Sequence, residues 1–92
     1  MKKTINGKRY DSDRCEELGG RDHYNNNNYS GTTHLMRAND GTLLVYCDTN
    51  GQDLWLRDYM CLLTDTEYTI DDFALSDEQE ARCVELGLIT RV

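Results

Sequence analysis

The sequence predicts a small α+β domain made of an N-terminal β-hairpin, a short helix, a central antiparallel sheet and a C-terminal helix. Two observations carry this prediction. Turn residues of the hairpin type separate segments that have the composition of strands, and a helix-capping signal stands near the carboxyl end. The 92 residues suffice for one domain with a thin core, so residues 1–92 are assigned to a single α+β domain.

The N-terminal segment "KKTINGKRYD" predicts a β-hairpin. Asn6-Gly7 supplies the two left-handed positions of a type I′ turn, which suits the twist of the flanking strands. We expect Ile5 and Tyr10 to point inward.

The next segment, "DSDRCEELGG" (11–20), predicts a short helix. Its early Asp and Ser residues are N-cap types, Cys15 and Leu18 are spaced for one helix face, and the glycine pair would end the helix. The later "RCVELG" (82–87) repeats "RCEELG" (14–19), and we interpret both copies as last turns of helices. Their flanking segments differ, so no duplicated domain is predicted.

Residues 21–31, "RDHYNNNNYSG", predict a loop, because an Asn run favours turns and left-handed backbone. Tyr24 and Tyr29 flank this run. We expect them to fold back onto the core, although exposed tyrosines can also anchor a partner.

A second hairpin is predicted from strands at 33–38 and 42–49, joined by "NDG". Both faces of the second strand carry apolar residues, which is typical of a central strand or one covered by helices. With open apolar faces on this strand, a homodimer through an exposed sheet edge is a further possibility.

The remaining elements are predicted from the spacing of apolar residues and from a helix-capping pattern. Residues 52–64 fit either a helix or a strand, and we favour a short helix; 67–75 predicts a strand or extended segment. Ser76 and Gln79 form a capping box for a helix that runs to about Leu86 and ends at Gly87.

Four cysteines, at 15, 47, 61 and 83, are predicted to be reduced and mostly buried. The alternative is a zinc site formed by the four thiolates or with His23 or His34, but the sequence has no closely spaced cysteine pair. The histidines lie near the Asn run without neighbouring partners. There is also no nucleophile–base spacing and no phosphate-binding loop, so we predict neither an enzyme nor a cofactor.

No apolar segment has the length of a membrane span or of a signal-peptide core. We therefore expect a soluble intracellular protein, with no membrane partner.

Charge is distributed unevenly along the chain. Residues 1–46 hold seven Lys/Arg and six Asp/Glu, a net charge of +1, whereas residues 47–92 hold three and eleven, a net charge of −8. Between Arg57 and Arg82 every charged residue is acidic: Asp58, Asp65, Glu67, Asp71, Asp72, Asp77, Glu78 and Glu80. Such a field governs solubility and partner choice. It serves either solvation alone or contact with a basic partner, and it disfavours direct nucleic-acid binding.

Several short motifs resemble those of small proteins from phages and other bacterial mobile elements, some of which are anti-CRISPR inhibitors. The resemblance rests on "INGKRYD" (5–11), Leu18-Gly19, the strand at 42–46 and "LSDE" (75–78), and covers about half of the chain. Such relatives tend to carry a Gly-rich turn after the central strand, where this chain has "DTNGQDLWLRDYMC".

The resemblance implies a stoichiometric inhibitor in the cytoplasm of a bacterial host cell, which binds a Cas effector and blocks its DNA binding or cleavage. Because effectors hold nucleic acid in positively charged channels, we expect the eight acids at 58–80 to act as a DNA mimic. Trp55 and Tyr59 are candidate apolar anchors. The alternative is a mobile-element adaptor domain that binds another host or phage protein and uses its acids only for solubility.

Overall fold

Four antiparallel strands form the centre of the molecule. The structure is a computed structural model that describes residues 1–49 and 58–92. Its sheet has the order β3-β4-β5-β6, and a separate hairpin, β1-β2, precedes it. The strands are β1 (Lys2–Ile5), β2 (Lys8–Asp11), β3 (Glu16–Asn25), β4 (Asn28–Arg37), β5 (Leu43–Thr49) and β6 (Tyr59–Leu62), and the helix α1 spans Asp77–Glu85. The α+β architecture is as the sequence predicts.

The N-terminal hairpin is confirmed in detail. Asn6 and Gly7 both have positive φ, 52° and 78°, as a type I′ turn requires. Tyr10 is buried and Ile5 is half-buried against the same cluster, so both point inward.

The prediction of a helix at 11–20 is wrong. A single 3-10 turn, Ser12–Arg14, uses the capping residues: the Asp11 side chain accepts a hydrogen bond from the Asp13 N–H at 3.0 Å. The chain then enters β3, where a bulge interrupts the register and Leu18 is fully buried. The "RCEELG" copy is therefore a turn followed by a strand, and only "RCVELG" ends a helix.

The prediction of a loop at 21–31 is also wrong, because β3 and β4 continue through these residues as one long hairpin. Only Asn26 and Asn27, with φ of 51° and 65°, adopt the left-handed backbone expected of the Asn run. Side-chain pairs across the strands support this extension. One is the hydrogen bond that Thr32 donates to Asp22 at 2.8 Å.

The segment predicted as a helix at 52–64 contains strand β6 instead, followed by a 3-10 turn at Leu63–Asp65. The part at 50–57, which includes Trp55, lies outside the described residues. The strand or extended segment expected at 67–75 contains a further 3-10 turn, Ile70–Asp72, with extended backbone at Thr69 and Phe73. Within it, only Ala74 pairs with the sheet, opposite Gly20.

The C-terminal helix is confirmed. Ser76 caps α1 and exchanges hydrogen bonds with Gln79, and Gly87 adopts the positive φ of 76° that ends the helix. In the described part of the chain, no helix is long and apolar enough to cross a membrane.

The sheet is apolar on both faces, and a different part of the chain covers each. The N-terminal hairpin packs through Tyr10 on one face; the sheet residues there are Met36, Leu44 and Met60. The segment 63–92, which we call the acidic layer, packs through Phe73 and Cys83 on the other; the sheet residues there are Leu18, Leu35 and Val45. The central, two-sided position predicted for the 42–49 strand is therefore confirmed. Since β5 is paired on both sides, the outer strands of the sheet are β3 and β6, and the homodimer through an exposed sheet edge stays a prediction.

All four cysteines are free thiols. Cys47 and Cys83 are fully buried, while Cys15 and Cys61 are half-buried. Burial raises the pKa of each thiol, which keeps it protonated and unreactive at neutral pH.

Candidate protein-binding surface

The structure brings seven of the eight predicted acids into the acidic layer. They occupy its 3-10 turns, the bend between these turns, and the first turns of α1: Asp65, Glu67, Asp71, Asp72, Asp77, Glu78 and Glu80. The eighth, Asp58, precedes β6 at the opposite end of that strand, where it accepts a hydrogen bond from the Thr49 N–H at 2.9 Å. Asp58 is thus separate from the other acids.

Part of this acidity has a local structural role. The Asp72 carboxylate accepts a hydrogen bond from the Thr69 N–H at 2.7 Å and so closes the 3-10 turn. Asp77 and Glu78 lie in the first turn of α1, where negative charge is stabilised by the helix dipole. These roles explain the positions of three acids but not the number of acids in the layer.

Most of the acidic layer lacks compensating charge. Asp72 lies 3.9 Å from the Arg21 guanidinium, and Glu80 lies 3.4 Å from that of Arg91. Five other acids are exposed and form no ion pair with any described residue: Asp65, Glu67, Asp71, Asp77 and Glu78. The layer as a whole, 63–92, holds eight Asp/Glu and two Arg, a net charge of −6.

The opposite side of the sheet is basic. Residues 1–14 hold five Lys/Arg and two Asp/Glu, a net charge of +3, which the average over 1–46 conceals. A pocket of about 660 Å³ lies beside the hairpin and is lined by Lys2, Lys8, Arg9 and Arg14. Two of these cations are engaged within the protein, since Lys8 lies 3.1 Å from Asp40 and Arg14 lies 3.9 Å from Asp11. Charges of opposite sign are thus separated across the sheet.

An apolar groove runs through the acidic layer and was not foreseen from the sequence. It has a volume of about 470 Å³ and lies between the 63–70 segment and the chain after α1. Its apolar lining consists of Leu63, Tyr68, Ile70, Leu88 and Ile89. The two stretches are about twenty residues apart in sequence, so no local pattern could reveal their contact.

Of the two predicted apolar anchors, Trp55 lies outside the described residues. Tyr59 is half-buried and packs against the core beneath the acidic layer, where burial raises its pKa. A side chain in this position supports the fold of the layer and offers a partner little surface.

Tyr24 and Tyr29 do not fold back onto the core as expected. They are 64% and 45% exposed, and their rings meet edge to face with centroids 6.0 Å apart. The signal that could have placed them is their symmetric position around the Asn25–Asn28 turn, which makes them cross-strand neighbours.

Both histidines have partners, contrary to expectation, because they lie in strands. The His23 Nε2 atom is 2.5 Å from Thr33 Oγ1, and burial followed by the charge of Arg21 lowers the His23 pKa. His34 hydrogen-bonds to Glu17 and stacks on Tyr46 with ring centroids 5.7 Å apart. Since Thr33 is fully buried, its hydroxyl has no access to a substrate.

Across residues 1–49 and 58–92, no three His, Cys, Asp or Glu side chains lie close enough together to hold a metal ion. We compared the chain with models of protein families, with curated proteins and with solved structures. None of them matches. The surface chemistry and the short sequence motifs therefore guide the functional proposal.

Proposed function

We propose that this protein is a stoichiometric inhibitor that docks its acidic layer on a basic surface of a partner protein and so excludes nucleic acid from that surface. The observation that carries the proposal is the set of five exposed carboxylates that form no ion pair with a described residue. The partner class is a Cas effector, as the resemblance to anti-CRISPR inhibitors suggests.

The physical argument is charge substitution. A nucleic-acid channel presents Lys and Arg side chains that bind phosphates, and carboxylates can occupy the same positions. Unpaired carboxylates lose no internal ion pair when they bind. Glu67 and Asp71, which stand outside the helix, are well suited to this role because they have no capping function in the described structure.

The basic hairpin supports a defined orientation. A positively charged partner attracts the acidic layer and repels the residues around Lys2 and Arg9 on the other side of the sheet. The molecule should therefore dock with one face only.

The test is a pull-down of the tagged protein from lysates that contain type I, II or V effectors, at low and high salt. We expect one effector to be captured and the capture to weaken with salt, since exposed charges are screened. Added DNA that the effector binds should displace the protein.

Charge reversal sharpens this test. The double variant Glu67→Lys, Asp71→Lys should weaken capture at least tenfold, because two attractions become repulsions. The matched control, Asp13→Lys with Asp48→Lys, changes the same total charge at exposed sites outside the layer and should weaken capture much less. Equal loss in both variants, or capture that salt leaves unchanged, would contradict the proposal.

A second candidate is the mobile-element adaptor, which the exposed tyrosine pair favours. Tyr24 and Tyr29 present aromatic surface at a hairpin tip, and such residues often anchor protein partners. An adaptor of this kind should lose its partner in the variant Tyr24→Ser, Tyr29→Ser, and its binding should resist salt. Loss of effector capture only in the lysine variant would exclude this alternative.

A further inference from the structure

The groove of the acidic layer is an apolar recess that is open to solvent. Its five apolar side chains are all half-buried, and they continue the core cluster that includes Phe73 and Cys83. Thr64, Thr69 and Asp71 form its exposed rim. A partly exposed apolar recess of this kind gains free energy when another apolar group covers it.

Two of the threonine hydroxyls that line the groove are engaged within the protein. The Thr66 hydroxyl donates to the Leu63 carbonyl at 2.7 Å and accepts from the Tyr68 N–H at 3.2 Å. The Thr69 hydroxyl donates to Asp72 at 3.3 Å. Inside the groove a ligand therefore meets mainly apolar side chains, and the exposed polar groups of Thr64 and Asp71 stand at its rim.

The surroundings of the groove are anionic. Asp71 stands on its rim, and Asp65 and Glu67 belong to the segment that lines it; all three are exposed and form no ion pair with a described residue. A ligand that fills the groove must place its neighbouring groups against these carboxylates. Cationic neighbours gain attraction there, whereas anionic ones are repelled.

We propose that the groove receives one large apolar side chain from a basic segment of the partner protein, while the carboxylates contact the Lys or Arg residues that flank it. This inference rests on the proposed function and adds an apolar contact, which charge alone does not supply. Long-range charge gives attraction and rate, and a filled apolar site gives register and slow dissociation.

The probe is a synthetic peptide of alternating lysine and glycine with a single central phenylalanine. Its twin carries alanine at the centre and has the same charge. Binding of both peptides to the full chain is measured by titration calorimetry at low salt. Covering a phenylalanine ring should make the first peptide roughly ten- to a hundredfold tighter than the second.

Two variants test the location. Leu88→Ser removes apolar lining from the groove, and Thr64→Trp places a large side chain into it. Because Thr64 is exposed, Thr64→Trp should fold normally even if Leu88→Ser does not. In each, the preference for phenylalanine should fall below about threefold while lysine-dependent binding persists. Val92→Ser, an exposed apolar residue outside the groove lining, is the control and should keep the full preference.

Each outcome decides between the claims. Equal affinity for both peptides would contradict the proposed role of the groove but not the proposed role of the acidic surface. Failure to capture any effector would contradict the proposed function, whereas the peptide result for the groove would still hold. Sedimentation that shows self-association of the wild type, abolished by Leu88→Ser, would assign the groove to a second copy of this chain and overturn the partner assignment.

Discussion

Gly19 lies where the acidic layer packs most closely on the sheet, and alanine at this position should loosen that contact. A Cβ atom on Gly19 would stand 3.1 Å from Phe73 Cβ and 3.2 Å from the Ala74 carbonyl oxygen. It would also stand 3.1 Å from the Leu75 Cδ2 atom, which can rotate away. The first two atoms are fixed to the backbone, so the segment at 73–75 must move.

That movement has a defined cost. It strains the two hydrogen bonds between Gly20 and Ala74, of 3.1 and 2.7 Å, which join the layer to β3. Overpacking of this kind costs about 1–3 kcal/mol. Replacing glycine also lowers the conformational entropy of the unfolded chain, which stabilises the folded state by about 0.4–1 kcal/mol. The net loss in the free energy of unfolding should be about 1–2 kcal/mol, which lowers the Tm by roughly 5–15 °C in a domain of this size.

The assay is urea unfolding followed by circular dichroism, with Gly20→Ala as the neighbouring control. A Cβ on Gly20 would meet the Thr32 Cγ2 atom at 3.6 Å, which is an ordinary contact. Gly20→Ala should therefore change the stability by no more than about 0.5–1 kcal/mol, in either direction. If the two variants lose stability equally, the close packing of residues 73–75 on Gly19 is not what holds the layer in place.

Two further predictions concern single side chains. Hydrogen bonds from Thr42, Lys8 and Tyr10 hold the Asp40 pKa well below its usual value of 3.8. At acidic pH the folded state therefore binds fewer protons than the unfolded chain, and stability falls as the pH drops below that value. Asp40→Asn should be less stable at pH 7 and should lose less stability on acidification, as measured by urea unfolding at pH 7 and pH 3; an unchanged acid slope would contradict this. Ser76→Ala removes the N-cap bond of 3.1 Å to the Gln79 N–H and should cost about 1 kcal/mol, whereas Ser76→Asp should stay near wild type in thermal unfolding. Equal Tm values for the two would show that the cap contributes little.

Turns and caps were predictable because single residues determine them. Asn6-Gly7 and the Asn run mark left-handed backbone that few residues other than Asn and Gly adopt readily, and both turns are found. The Ser76–Gln79 capping box is likewise a local pattern, and α1 begins where it predicts.

The strands β3 and β6 could not be predicted because pairing with β4 and β5, rather than local propensity, decides their conformation. The segment 11–20 has good helix signals, but pairing with β4 and the bridge to Ala74 decide its conformation. Tyr24 and Tyr29 were misplaced for the same reason, since a loop and a hairpin tip expose different side chains. Local propensity is a weak determinant when long-range pairing opposes it.

The acids of the candidate site could be read from the sequence, because charged side chains stay at the surface in most folds. The groove could not, since it joins Leu63 and Ile70 to Leu88 and Ile89 through the folding of the layer. Tyr59 was mistaken for an anchor because an aromatic residue among acids gives no local sign of its burial.

Separation of charge across the sheet links the fold to the mode of binding. Each apolar face needs a cover, and the two covers carry opposite charge: +3 over residues 1–14 and −6 over 63–92. A basic partner is therefore attracted to one face and repelled by the other, so that it meets the face that contains the groove. Salt should slow this association more than it speeds dissociation, because the long-range field is screened while the short-range apolar contact remains. A salt effect confined to the dissociation rate would mean that the carboxylates act only after contact, and the hairpin's charge would then have no part in orientation.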